Sequence, residues 1–171
     1  MKHQKLFDYE YNDLQYLNLS KKIFTNSKGE LLTESYTYPA DYSAVSPYNE
    51  MILRNRVSEV IEQKGTLLVP GSSVATEISK IKADFDFRSG TSLIEPVLVK
   101  KSFGGNTPEN EVIINEHDDK GNILRTWSKS GINTVYIWGY GQRYPVAKII
   151  INGKTHSQVM DDCNLSESII N

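Results

Sequence analysis

Clusters of glycine, asparagine, aspartate and serine interrupt this chain at short intervals, and between them stand runs of β-branched and aromatic residues. That punctuation predicts strands joined by turns. It is clearest over 118–140. Asp118-Asp119-Lys120-Gly121-Asn122 leads into Ile123-Leu124-Arg125-Thr126-Trp127, and Ser128-Lys129-Ser130-Gly131 into Ile132-Asn133-Thr134-Val135-Tyr136-Ile137-Trp138. Gly139-Tyr140-Gly141-Gln142 then supplies two glycines for a tight reversal, residues 143–149 begin another strand, and its body is predicted at 146–151.

The same grammar runs upstream. Tyr9, Tyr11, Leu14, Tyr16, Leu17 and Leu19 permit a strand without demanding one, while 22–25 and 31–38 flank Asn26-Ser27-Lys28-Gly29 as a hairpin. Asn26-Ser27-Lys28-Gly29-Glu30-Leu31-Leu32 lies over Asp118-Asp119-Lys120-Gly121-Asn122-Ile123-Leu124 as a degenerate copy. Pro39 ends that strand. A helix is predicted from Pro47 to Asn55, with Ser46 as its cap, Glu50 in its first turn, and Tyr48, Met51, Ile52 and Asn55 along one side.

Next come a strand over 57–64 with Gly65 as its turn, and a short strand at 67–69 stopped by Pro70. Over 74–87, Val74, Thr76 and Ile78 share one face whereas Ile81, Ala83, Phe85 and Phe87 share the other, which predicts a β-bulge near Ser79 or Lys80. Strands at 96–102 and 111–117 flank a loop at 104–110. Near the C-terminus, Thr155 and Gln158 have capping-box spacing, and Val159, Met160 and Cys163 mark a helix at 156–164, with Leu165, Ile169 and Ile170 behind it.

Composition narrows the classes. The 171 residues suit one domain, and 23% charged with 39% hydrophobic residues describe a folding chain. A net charge of -2 with signs interspersed gives no footprint for nucleic acid. No apolar run is long enough to span a bilayer, and 1–6 lack the apolar region of a secretory signal. Cys163 stands alone among acidic neighbours, which excludes an internal disulfide and disfavours a reactive thiolate.

The turn-and-strand unit at 118–149, with the stretch from Tyr36 to Gln63 that includes Tyr38-Pro39, Asp41-Tyr42, Met51, Asn55 and Val60-Ile61-Glu62-Gln63, resembles the YD-repeat or rearrangement-hotspot (RHS) proteins, in a bacterial cell-envelope branch. The resemblance implies a mainly β fold, an antiparallel twisted sheet of YD/RHS-type hairpins with one internal helix and a short C-terminal helix. It also implies a single domain over 1–171 that is a fragment of a larger shell, with extracellular or cell-surface placement. The self-cleavage motif of toxin-releasing relatives has no counterpart here. Exposed sheet edges suggest a homodimer.

Among candidate functional residues, Trp127, Tyr136, Trp138, Tyr140 and Tyr144 form the best set, because alternation puts Tyr136 and Trp138 on one strand face as a stacking platform for a sugar. The competing reading is that these rings fill the inside of the shell. Glu109, Glu111, Glu116, Asp118 and Asp119 crowd one region, yet their spacing fits no calcium loop, and Asp118 and Asp119 read as turn formers. Asp84 and Asp86 sit two apart on one strand face and repel unless a cation bridges them. His3, His117 and His156 have no partner spacing. No catalytic set, metal site or cofactor is therefore expected. The expectation is a non-catalytic structural or surface-interaction module whose partner is a surface protein or glycan, with a carbohydrate-binding module as the alternative.

Overall fold

The structure is a computed structural model that describes residues 7–11 and 15–165. Among the described residues ten strands follow one another as neighbours in a single antiparallel sheet: β1 (Phe7–Glu10), β2 (Lys21–Thr25), β3 (Leu31–Thr37), β4 (Glu62–Leu68), β5 (Thr76–Phe87), β6 (Ile94–Phe103), β7 (Glu109–His117), β8 (Ile123–Ser128), β9 (Asn133–Gly139) and β10 (Tyr144–Ile150). The fold class is thus mainly β, as the punctuation predicts. The sheet is open, with β1 at one edge and β10 at the other. Leu14, His3, Ile169 and Ile170, used in the sequence reading, lie outside the described residues.

Three reversals share one hydrogen-bond pattern. Asn26, Asp118 and Ser128 each donate their backbone N–H to the carbonyl four residues on (Glu30, Asn122, Ile132), at 2.9–3.0 Å. Each also accepts at its own carbonyl from the glycine three residues on (Gly29, Gly121, Gly131). The side chain completes the turn: Asn26 Oδ1 accepts from the N–H of Lys28 and Glu30, and Asp118 Oδ1 from those of Lys120 and Asn122. The glycine stands at positive φ in all three, +76°, +87° and +79°, which a side chain would make costly. The overlay of 26–32 on 118–124 is therefore a repeat of geometry as well as of residue type.

Between β3 and β4 the chain leaves the sheet. A 3₁₀ turn at Pro39–Tyr42 precedes helix α1 (Tyr48–Leu53). Six residues cannot hold a helix by themselves; side-chain docking does. Tyr48, Met51, Ile61 and Ile94 form a buried cluster with Tyr42 and Phe85 against it. Arg54 donates to the Ser92 carbonyl, and Arg56 donates to the Ile94 carbonyl at 2.6 Å. The helix is shorter than the sequence predicts, and Pro47 rather than Ser46 occupies the cap position, with its carbonyl accepting from Glu50 and Met51.

Two further corrections concern β4 and β6. Residues 57–61 are not strand, and Gly65 is no turn: it lies buried in β4, opposite Glu34 on one side and Ser79 on the other. A Cβ there would stand 2.6 Å from Ser79 Oγ, so glycine serves close approach between neighbouring strands. The register skips Ile78 at this point, which places the predicted bulge beside Ser79. Pro96 falls inside β6, a central strand, opposite Phe85; a second bulge beside it, at Val97, accommodates the missing donor.

At the C-terminal end, helix α2 (His156–Asp162) packs on β9. Thr155 Oγ1 accepts from the Gln158 N–H while Gln158 Oε1 accepts from the Thr155 N–H, the predicted capping box. Val159 is buried, as are Val135 and Ile137 of β9. Cys163 is exposed.

Candidate functional site

Register decides what becomes of the five aromatic candidates. In β9 alternate residues point to opposite faces. Asn133, Val135 and Ile137 are buried, and α2 covers this strand; Asn133 Nδ2 also donates to the Lys154 carbonyl. Tyr136 and Trp138 therefore face the other way and are only half-buried. Trp127 lies directly opposite Asn133 across β8 and β9, which puts it on the face away from Tyr136 and Trp138, where it is 45% exposed. Tyr140 and Tyr144 flank the β9–β10 reversal, exposed, with their rings edge to face at 6.1 Å.

The structure thus brings together Tyr136 and Trp138, sets Tyr140 and Tyr144 beside each other at the hairpin end, and separates Trp127. The competing reading, that these rings fill the interior, fails for Trp127, Tyr140 and Tyr144, which are exposed. Among the described residues the largest fully buried side chains are Met51, Ile61, Val135, Ile137, Val159 and Pro39, which are aliphatic or sulfur-bearing, and Tyr48 is the ring buried beside Met51.

Tyr136 and Trp138 line an open cleft of ≈710 Å³. Gly121, Asn122 and Ile123 bound it on one side, and Pro145, Val146, Ala147 and Lys148 of β10 on the other. Pro145 is opposite Trp138 and Lys148 opposite Tyr136, so these pairs share the cleft face; Val146 is an extra residue that bulges the edge strand. The indole N–H of Trp138 donates to the Ile123 carbonyl at 2.9 Å, which fixes the ring's orientation. Beyond the rings, Lys120 donates to the Gly141 carbonyl and Asn122 Nδ2 to the Gln142 carbonyl, so the 118–122 turn grips the 139–143 reversal. That grip holds Tyr140, Gly141 and Gln142 at φ +54°, +66° and +63°, a left-handed run in which two members are not glycine.

Three of the five carboxylates that crowd the sequence are spoken for individually, and Glu111 and Asp119 are exposed. Glu109 pairs with Lys129, Glu116 Oε1 lies 2.8 Å from Arg125 Nε, and Asp118 serves its turn. Asp84 is paired with Lys100 at 2.7 Å and Lys82 at 3.5 Å, while Asp86 Oδ1 accepts from the Phe87 N–H at 2.7 Å. Among the described residues no group of three or more His, Cys, Asp or Glu is placed to hold a metal ion.

Sequence reasoning missed a buried polar cluster. His117 Nδ1 lies 3.1 Å from Glu95 Oε2, and Arg88 reaches Glu95 Oε1 at 3.6 Å while donating to the His117 and Asp118 carbonyls. Burial holds the His117 imidazole below its ordinary pKa, against the opposing pull of the Glu95 carboxylate. Glu95 and His117 lie 22 positions apart on different strands, so only their folding onto neighbouring strands makes them partners. The cluster ties the 88–93 turn to the 118–122 turn, and through it to the wall of the cleft. Comparison with protein-family models, with curated proteins and with solved structures finds no match.

Proposed function

We propose that this chain is a non-catalytic surface-interaction module, that the cleft over Tyr136 and Trp138 is its contact site, and that carbohydrate is the ligand class it takes. The supporting observation is the division of labour within β9. Val135 and Ile137 are buried, while Tyr136 and Trp138 keep ring surface open to the cleft on the other face. A sugar presents an apolar ring face edged by hydroxyls, which matches an aromatic floor with a polar rim. Trp138 is already oriented by its bond to Ile123, so little ordering cost remains to be met on binding. A glycan array tests this: binding by the wild type that is lost in Trp138→Ala, with the fold intact by circular dichroism, supports the site. Silence of the wild type across the array sinks the glycan class.

A second reading, that the chain is a segment of a longer YD-repeat-like shell at the cell surface, draws support from the open edges. Among the described residues strands β1 and β10 each pair on one side only, and Tyr144, Val146 and Ile150 of β10 are exposed. Unprotected edges favour pairing with another strand. Under this reading the isolated chain associates through an edge, and a clean monomer in sedimentation at high concentration counts against it.

A further inference from the structure

We infer that the cleft selects an anionic sugar, with the acidic group seated between the Tyr136 hydroxyl and the Lys148 ammonium; this rests on the reading of the cleft as a glycan site. The two residues are directly opposite one another across β9 and β10, so both side chains rise from the same face into the same cleft. Among the described residues neither the Tyr136 hydroxyl nor the Lys148 ammonium has a hydrogen-bond partner, and Lys148 has no carboxylate within ion-pair distance. This sets Lys148 apart from most strand lysines; Lys101, which among the described residues also has no carboxylate partner, lies over the Phe103 ring at 4.7 Å. Most lysines on the strands are neutralised, as Lys64 and Lys80 are by Glu77 and Lys100 is by Asp84.

Among the described residues no acidic side chain lines the cleft, and Lys148 supplies its one formal charge. The remaining side-chain donors are committed. The Trp138 N–H is held by Ile123, and Asn122 Nδ2 is shared between Asp118 Oδ2 and the Gln142 carbonyl. Among the described side-chain donors of the cleft, one hydroxyl and one ammonium stay open on neighbouring strands above an aromatic floor. A carboxylate or sulfate accepts from both at once, and the charge makes each bond stronger than a neutral one. A neutral hydroxyl leaves the ammonium without its counter-charge.

The test is titration of the purified chain with glucuronate-terminated and sialylated oligosaccharides, beside the matching neutral oligosaccharides that end in glucose or galactose. Acidic ligands are expected to bind at least about tenfold more tightly than their neutral counterparts, as a charge-assisted hydrogen bond implies. Raising the salt should narrow the gap. Lys148→Met, on an exposed edge-strand position, should bring acidic binding down to the neutral level, and Tyr136→Phe should weaken it while sparing neutral binding. Equal binding of acidic and neutral ligands, both lost in Trp138→Ala, overturns the anion preference and leaves the glycan site standing. Acidic binding that survives Lys148→Met also overturns it. Binding of neither ligand overturns the preference together with the site.

Discussion

Replacing Met51 by alanine tests whether docking, and not helix propensity, builds the insertion between β3 and β4. Met51 is 0% exposed and sits in the cluster of Tyr48, Ile61 and Ile94. The change deletes Cγ, Sδ and Cε, and at about 0.8 kcal/mol per buried methylene-sized group the transfer loss alone is about 2 kcal/mol. Neighbours held by Arg54 to Ser92 and Arg56 to Ile94 relax only in part, so a cavity contribution raises the total to about 2–4 kcal/mol. For a chain of this size the melting temperature should fall by about 2–4 °C for each kcal/mol. Leu53, two residues on in the same helix, is 80% exposed, and its replacement by alanine should change stability by no more than about 0.5 kcal/mol. Urea unfolding of both variants, with the slope unchanged, gives the comparison. A Met51→Ala loss below about 1 kcal/mol, or one matched by Leu53→Ala, refutes the reasoning, because the helix would then not depend on that contact.

Three other outcomes follow from the turns and the buried histidines. Gly121→Ala should cost about 1–2 kcal/mol from its left-handed backbone alone, since the new Cβ meets Glu95 Oε1 at an ordinary 3.5 Å. Gly71→Ala, at φ +84° with nothing within 4 Å, should cost the same by chemical denaturation, and a much larger loss at Gly121 would mean that the contact matters. Asp118→Ala removes the acceptor for Lys120 N–H, Asn122 N–H and Asn122 Nδ2 and should cost about 2–3 kcal/mol in urea unfolding, with Asp118→Asn losing less because one oxygen remains. His117 and His156 both have pKa values lowered from 6.5, first of all by burial, so below 6.5 the unfolded chain binds more protons than the folded one. Stability should therefore be full above that pH and fall as the pH drops through the folded values. Unfolding free energies from pH about 7.5 to about 5.5 should show a shallower slope in His117→Gln than in the wild type, and an unchanged slope would refute the assignment.

Local chemistry made much of this legible in advance. Asn26, Asp118 and Ser128, each with a glycine three positions on, announce the same reversal because one short polar side chain and one positive φ suffice to build it. Thr155 and Gln158 announce α2 for a similar reason. The misreadings share a cause as well. Gly65 looks like a turn and Pro96 like a strand terminus when taken alone, yet one admits a close neighbouring strand and the other sits beside a bulge, and both depend on what lies across the ladder. The 3₁₀ turn at Pro39–Tyr42 did carry a local signal, Pro39 at its first position and Asp41 accepting from the Tyr38 N–H at 2.8 Å, although its packing beside α1 depends on tertiary context.

For the candidate site, the period of two in β9 was enough to put Tyr136 and Trp138 together and apart from Val135 and Ile137. It could not say which set would be buried, because either face of an antiparallel sheet can be the covered one. The packing of α2 on β9 settled that for the aliphatic set, and pairing settled the rest: Trp127 on the far face through Asn133, Lys148 opposite Tyr136, and His117 beside Glu95. Alternation is a property of one strand and is written in its residues. Partnership across strands is a property of register, which exists only once the whole meander has folded.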